Sequence, residues 1–207
     1  KIEKTGYLVM ATANGIIKKV SISEFSQVRR NGMIAIKLNN GDELKWVSIT
    51  SGSDEIMIVT SDGSAIRFKE KDVRAMGRAA AGVIGIRLGK NAKVVGAEIV
   101  SAKTDKKVLK LLVVMANGYG KRTDINFYKV QKRGGKGILT AKITSKTGEI
   151  VSAHITDPEE KELIAVSRKG QVIRTELASI SVLGRATQGV RIMKMEAGDT
   201  VASVVVV

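Results

Sequence analysis

The chain has 207 residues, 35 Lys plus Arg against 20 Asp plus Glu, and a formal net charge of +15. It carries no cysteine and one histidine, His154, which excludes disulfides, thiolate-bound zinc or iron–sulfur sites and any histidine metal cluster. Hydrophobic residues make up 43% of it, enough for a packed core, yet no apolar run reaches the ~20 residues that span a bilayer. It begins at Lys1 without Met and without an apolar signal segment, so the expectation is a cytoplasmic protein and a piece of something longer. A folded domain this basic binds polyanions through counterion release. Nucleic acid is the leading partner. An anionic membrane is the lesser alternative, with no amphipathic helix or lipidation motif to support it. Aromatic residues are only 3%, too few for base-stacking platforms, which favours the backbone of a duplex over single strands.

Read in chain order, four segments superpose: 7–15, 56–63, 111–118 and 163–170, each ending in an anchor glycine (Gly15, Gly63, Gly118, Gly170) between apolar stretches. The anchors predict tight hairpin turns, because glycine accepts the positive φ that such turns need. A second glycine follows each anchor by 17 to 19 residues: Gly32, Gly82, Gly137 and Gly189. Each opens an alternating stretch that predicts a strand, with Ile34, Ile36 and Leu38 on one face and Lys37 on the other. A last apolar strand closes every unit (46–49, 95–100, 151–155, 201–207). Between the two glycines lie single-turn helix signals, with the apolar Phe25, Val73, Tyr128 and Ile180 ten residues past each anchor and expected inside. The units span approximately 1–52, 53–104, 105–158 and 159–207, about four strands each, the period of a propeller-type blade. The expected architecture is one all-β, propeller-like domain over 1–207, whose blades must stack because none can bury its sheet face alone.

The positive charge concentrates in the third unit, where 11 basic residues face 4 acidic ones. Two repeat columns are basic in every copy. Four residues past the anchors stand Lys19, Arg67, Arg122 and Arg174; five past the second glycines stand Lys37, Arg87, Lys142 and Lys194. Both columns are expected on the outward faces of amphipathic strands. There they are either solvated charge that blunts sheet edges, or an arc of cations on the outer wall along which duplex phosphates lie. The loop before the second glycine reads Gln131, Lys132, Arg133, Gly134, Gly135, Lys136, Gly137 in the third unit. Its glycines let the backbone approach a phosphate closely and its cations neutralise one. The equivalent loops carry Arg29, Arg30, Arg78 and Arg185.

The heptapeptide 131–137 resembles the Gln-Arg-Arg-Gly-Gly-Lys-Gly box of the C-terminal DNA-wrapping domain of bacterial DNA gyrase A. Residues 13–19, 73–78, 117–123 and 180–189 are similar to that domain as well. The resemblance implies a β-pinwheel, a propeller-like fold of about four four-stranded blades in which each blade lends an outer strand to a neighbour. It implies that the chain bends and wraps duplex DNA, sequence-tolerantly, with the box role falling on residues 131–137. It further implies a non-catalytic part of an ATP-dependent type II topoisomerase that supercoils DNA negatively. Its partners there would be the rest of gyrase A and the ATPase, gyrase B, in an A2B2 assembly near the bacterial nucleoid. No cofactor is expected in this chain, ATP and Mg being used elsewhere in such an enzyme. Lys132 stands where the family has Arg, keeping the charge without the bidentate fork. The family commonly has six blades with the box in the first, so four units with the box-like loop in the third imply a fragment or a displaced box.

The sequence contains neither a phosphate-binding Gly-x-x-x-x-Gly-Lys loop nor an acidic metal cluster, and Tyr7, Tyr119, Tyr128 and His154 read as structural. Two alternatives remain at this level: the related topoisomerase IV domain that selects DNA segments, and a propeller that holds an acidic protein partner. Cations distributed around the rim favour DNA, and cations gathered on one face favour a protein.

Overall fold

A computed structural model describes residues 5–27 and 30–207. Unit one contributes β1 (Tyr7–Thr12), β2 (Ile16–Ser21) and β3 (Leu44–Thr50); unit two contributes β4 (Glu55–Thr60), β5 (Ser64–Lys69), β6 (Val83–Ile84) and β7 (Val94–Val100). Unit three contributes β8 (Lys110–Met115), β9 (Tyr119–Asp124), β10 (Val130–Gln131), β11 (Ile138–Leu139) and β12 (Ile150–Thr156). Unit four contributes β13 (Glu162–Ser167), β14 (Val172–Glu176), β15 (Val190–Arg191) and β16 (Val201–Val206). Each unit begins with an antiparallel hairpin, and its last long strand pairs with the free side of the first, giving β3-β1-β2, β7-β4-β5, β12-β8-β9 and β16-β13-β14. The hairpin turns are one residue longer than the primed turns expected. The N–H groups of Gly15, Gly63, Gly118 and Gly170 donate to the carbonyls of Thr12, Thr60, Met115 and Ser167, and these glycines adopt positive φ.

The fourth strand of a sheet comes from the following unit. β6 pairs with β2, β11 with β5 and β15 with β9, each antiparallel, so every junction is a strand exchange. The second glycine makes this possible. At Gly82, Gly137 and Gly189 the chain crosses the edge of the preceding sheet at φ +101, +76 and +80. A Cβ at Gly137 would lie 2.5 Å from the Ala65 carbonyl oxygen, and one at Gly189 would lie 2.5 Å from that of Gly120. The long alternating strand expected after each second glycine is thus only two residues of ladder. Residues 33–38 form no strand at all: Ile34 is 67% exposed and Leu38 is exposed too, because no preceding sheet edge receives them among the described residues.

The cores lie between successive sheets. Ile56 and Ile58 pack with Val9 and Ile17 of unit one, while Met57 and Val59, from the other face of β4, pack with Leu111 and Val113 of unit three. Leu112 and Val114 in turn pack with Leu163 and Ala165 of unit four. A sheet covered on both faces buries a continuous apolar run, as at 56–59 and 111–115, whereas along the apolar 163–166 of β13 burial alternates. The short 3₁₀ turns Ile22–Phe25, Glu70–Asp72, Ile125–Phe127 and Leu177–Ser179 stand where the helix signals fell. Val73, Tyr128 and Ile180 are buried as expected, and Phe25 partly so. No helix among the described residues is long and apolar enough to cross a membrane.

β7 and β12 run side by side, and the Glu98 carboxylate lies 3.7 Å from Nδ1 of His154, whose Nε2 shares a hydrogen bond of 2.8 Å with the Ser152 hydroxyl. Burial, reinforced by the nearby Glu160, pushes the Glu98 carboxyl up to about 7, and burial lowers His154. A raised carboxyl stabilises the fold fully below its unfolded value of 4.5 and loses that contribution as pH rises through 7. Between pH 5 and 8 the wild-type melting temperature is therefore expected to fall relative to that of Glu98→Gln; parallel curves in thermal denaturation would contradict this. Gly189→Ala, which forces a Cβ into the Gly120 backbone, is expected to destabilise by about 3 kcal/mol in urea unfolding. Gly32→Ala has open space around it and carries only the positive-φ strain, about 1 kcal/mol.

Candidate nucleic-acid interface

The glycine-rich loops are reversals on the outer edge of a sheet. In the third unit Val130 and Gln131 pair parallel with Arg67 and Phe68, the chain turns back over 132–137, and Ile138 and Leu139 pair antiparallel with Ala65 and Ser64. Loops 77–82 and 184–189 are bracketed the same way, by the parallel bridges Lys19–Ala75 and Arg122–Val182 on one side and by β6 and β15 on the other. Each loop folds around the middle residue of the strand it crosses: Lys18, Ile66 or Lys121. The loops are also bonded in series. The Lys37 N–H donates to Ala80 O, Gly134 N–H to Gly85 O at 2.7 Å, Arg87 N–H to Gly135 O at 2.9 Å, and Lys142 N–H to Thr187 O. Segment 33–38 and the three exchanged segments form one belt around the outer wall.

Four of the expected cations lie on this belt and point to solvent: Lys37, Arg87, Lys142 and Lys194 are all exposed, without an ion pair among the described residues. Lys132 and Lys136 are exposed beside them. The Lys132 side chain is 93% accessible and only 3.7 Å from Asp72, a pairing of little energetic weight at such exposure. Arg87 and Lys136, from successive units, line one shallow cavity of about 200 Å³ with Asp62 at its edge. Gly134, Gly135 and Gly137 carry the reversal, and a Cβ at Gly135 would touch Ile66 at 3.5 Å.

The other members of the heptapeptide differ from expectation. The Arg133 guanidinium donates to Asp72 O at 2.9 Å and to Ile84 O at 3.0 Å, pinning the loop to the preceding unit. Arg185 does the same to Leu139 O at 3.1 Å. Nε2 of Gln131 is buried without a partner rather than presented to a ligand. Arg78 is partly buried and its carbonyl is engaged by Lys18. Arg30 is exposed, and Arg29 lies outside the described residues.

The first cationic column is corrected more strongly, since the residues expected on the outer wall serve the junctions instead. Arg67 is 4% exposed: its guanidinium pairs with Glu55 at 2.6 Å and donates to the carbonyls of Ile125 and Tyr128. Lys19, also buried, reaches Glu70 O at 3.2 Å and its carboxylate at 3.5 Å, over the ring of Tyr7. Arg122, partly buried, donates to Ile180 O and Ala178 O. In each case the cation donates across the junction to backbone oxygens of the next unit's 3₁₀ turn and its C-terminal flank. Arg174 has no such turn to meet among the described residues, stays exposed, and pairs with Glu162. Three of the column's four cations thus serve a structural role.

Two further cations escaped the sequence reading. Lys18 is fully buried and its ammonium donates to the carbonyls of Ala35 and Ala80, both at 2.8 Å, and to that of Arg78. Lys121 is equally buried and donates to Gly184 O, Arg185 O and the Thr187 hydroxyl at 2.6 to 2.9 Å. Burial, with Arg185 nearby, lowers Lys121 to about 8. Both plug the loop that wraps them. The signal was available three residues past Gly15 and Gly118, but Ile66 and Ile173 at the same position broke the column.

An all-β stack of strand-exchanged blades carrying a cationic outer belt defines a propeller-like class of domain with a basic rim. The chain belongs to the DNA gyrase C-terminal domain family of β-propellers, whose family profile matches residues 6–51, 54–101, 110–157 and 161–207. It is 46% identical over 198 residues to DNA gyrase A of Staphylococcus epidermidis and 44% identical to that of Staphylococcus aureus. The match takes in 96% of this chain and 22% of those proteins, so the chain spans about a fifth of the relatives' length. A solved DNA gyrase A C-terminal domain superposes with a TM-score of 0.83 at 29% identity, over 99% of this chain and 66% of that one. The C-terminal domain of DNA topoisomerase IV superposes with a TM-score of 0.91 at 23% identity, over 100% of this chain and 63% of that one, a likeness of fold.

The two cationic columns are expected to separate in a stability measurement. Arg67→Met leaves Glu55 and two junction carbonyls short of a partner and is expected to cost about 3 kcal/mol in chemical denaturation. Lys142→Ala, on the exposed belt, is expected to stay within about 0.5 kcal/mol of wild type.

Proposed function

We propose that the chain, folding over 1–207 as a single β-pinwheel domain, binds duplex DNA without base readout and bends it around the belt. The observation that carries this reading is the serial placement of Lys37, Arg87, Lys142 and Lys194, one exposed cation per unit, on segments hydrogen-bonded end to end. Lys132 and Lys136 add charge at the third unit's loop. Cations distributed along a rim match a phosphate backbone that follows that rim, whereas an acidic protein partner calls for a patch on one face.

The mechanism is electrostatic. Bending a duplex by 40–90° over 20–30 base pairs costs on the order of 1–6 kcal/mol, and phosphate contacts spread along the belt offset it through counterion release. Because Arg133, Arg185, Lys18 and Lys121 already hold the loops in place, little ordering remains to be done on binding. In the longer protein to which such domains belong, the wrapped segment is delivered with a fixed crossing sense to the parts that break and rejoin DNA. There, gyrase B with ATP and Mg supplies the energy for negative supercoiling. This chain's own part is to bind and bend, in a cytoplasmic, nucleoid-associated enzyme.

The test is a fluorescence-anisotropy titration of duplexes of unrelated sequence across a salt series, with ligation of relaxed circles to read linking change. Wild-type affinity is expected to fall steeply with salt and to ignore sequence, and Lys132→Ala/Lys136→Ala is expected to lower the log–log slope by about 2. An affinity flat in salt, or no linking change, would overturn the proposal.

A further inference from the structure

The third junction contains a cluster that the repeat does not require. At the first residue past the anchors, the strand-exchange partners are Ile16 with Ile84, Ser64 with Leu139, and Tyr119 with Arg191. Only the last pair is polar and charged. The Arg191 guanidinium sits 5.7 Å from the centre of the Tyr119 ring and donates to its hydroxyl at 3.3 Å. From the same unit as Tyr119, the Lys146 ammonium stands 5.4 Å from that ring. Asn117 holds the Lys146 turn in place by donating to Ser145 O and Lys146 O. Lys194, the last cation of the belt, lines the same open cavity of about 370 Å³ together with Met195. No acidic side chain lines it, and none of the three cations has an ion pair among the described residues.

Arg191 and Lys146 stand against one tyrosine ring with Lys194 lining the same cavity, and such cations repel one another unless an anion joins them. The arrangement suits an oxyanion: two ammonium groups, a guanidinium fork and a phenolic hydroxyl from three separate elements line one open cavity beside a buried ring. Arg191, through its hydrogen bond and charge, and Lys146 after it hold the Tyr119 hydroxyl below its usual range. We propose that Tyr119, Lys146, Arg191 and Lys194 form a phosphate-gripping site that takes a backbone phosphodiester of duplex DNA where the duplex passes the third junction. This rests on the reading of the belt as a DNA path. Lys194 makes the site continuous with that path, and Tyr119 supplies a neutral donor at a fixed position.

The test compares Lys146→Gln/Arg191→Gln with the control pair Lys103→Gln/Lys107→Gln, whose exposed side chains lie at the β7–β8 connection. Duplex binding across a salt series is read beside thermal melting, with inorganic phosphate as a separate probe. The site pair is expected to lower the log–log salt slope by about 2 while the control pair leaves it unchanged, both melting like wild type. Tyr119→Phe, which keeps the ring, is expected to weaken binding by less. If the site pair and the control pair show the same slope, the site is overturned. It is overturned as well if inorganic phosphate binds the wild type and not the site pair while duplex slopes stay equal, which makes it a free-anion site. Wild-type protein with no duplex affinity would instead overturn the belt reading beneath it, a result that the Lys132→Ala/Lys136→Ala pair reports separately.

Discussion

The structure turns on a chain crossing. At Gly82, Gly137 and Gly189 the backbone passes over the edge of the preceding sheet so closely that no Cβ fits, and in doing so it hands its next residues to that sheet. The crossing gives each inner blade a fourth strand and bonds neighbouring segments into an outer belt. It also brings carbonyl oxygens of a 3₁₀ turn into the junction. Arg67, Arg122 and Lys19 reach across to donate to them, so that a charged side chain ties each unit to the next.

Positive charge therefore does two physically different jobs within a few ångströms. Inside the junctions, ammonium and guanidinium groups are desolvated and repaid by carbonyl and carboxylate acceptors, so that they hold one blade to the next and hold each loop's shape. Outside, on the belt, lysines and arginines keep their hydration and their counterions, which is the state from which binding a polyanion gains entropy. The inner set makes the outer set useful: a loop pinned by Arg133 or plugged by Lys121 presents its neighbours at fixed positions instead of as a flexible cationic tail.

The three junctions are not copies. The third unit carries the largest share of the charge, its loop is held by glycines and Ile66 instead of by a buried ammonium, and its anchor turn alone carries a tyrosine between cations. Repetition sets the spacing of the belt, and the differences between repeats set where along it the grip is strongest.

Sequence alone determined the repeat, the hairpin anchors, the buried Val73, Tyr128 and Ile180 beside the 3₁₀ turns and the exposed column of Lys37, Arg87, Lys142 and Lys194, because local turn chemistry and alternation are written within a few residues of each other. What it could not separate was the column of Lys19, Arg67, Arg122 and Arg174 from the belt. Both are cations on apolar-flanked strands, and only the next unit's carbonyls, some fifty residues away in the chain, make the first set internal. The same holds for Lys18 and Lys121, whose burial depends on a loop that wraps them from the following unit, and for Tyr119, whose cationic neighbours come from another turn and another blade. Side-chain type and spacing specify which residues carry charge; tertiary contact decides whether that charge faces a backbone oxygen or a solvent-borne anion.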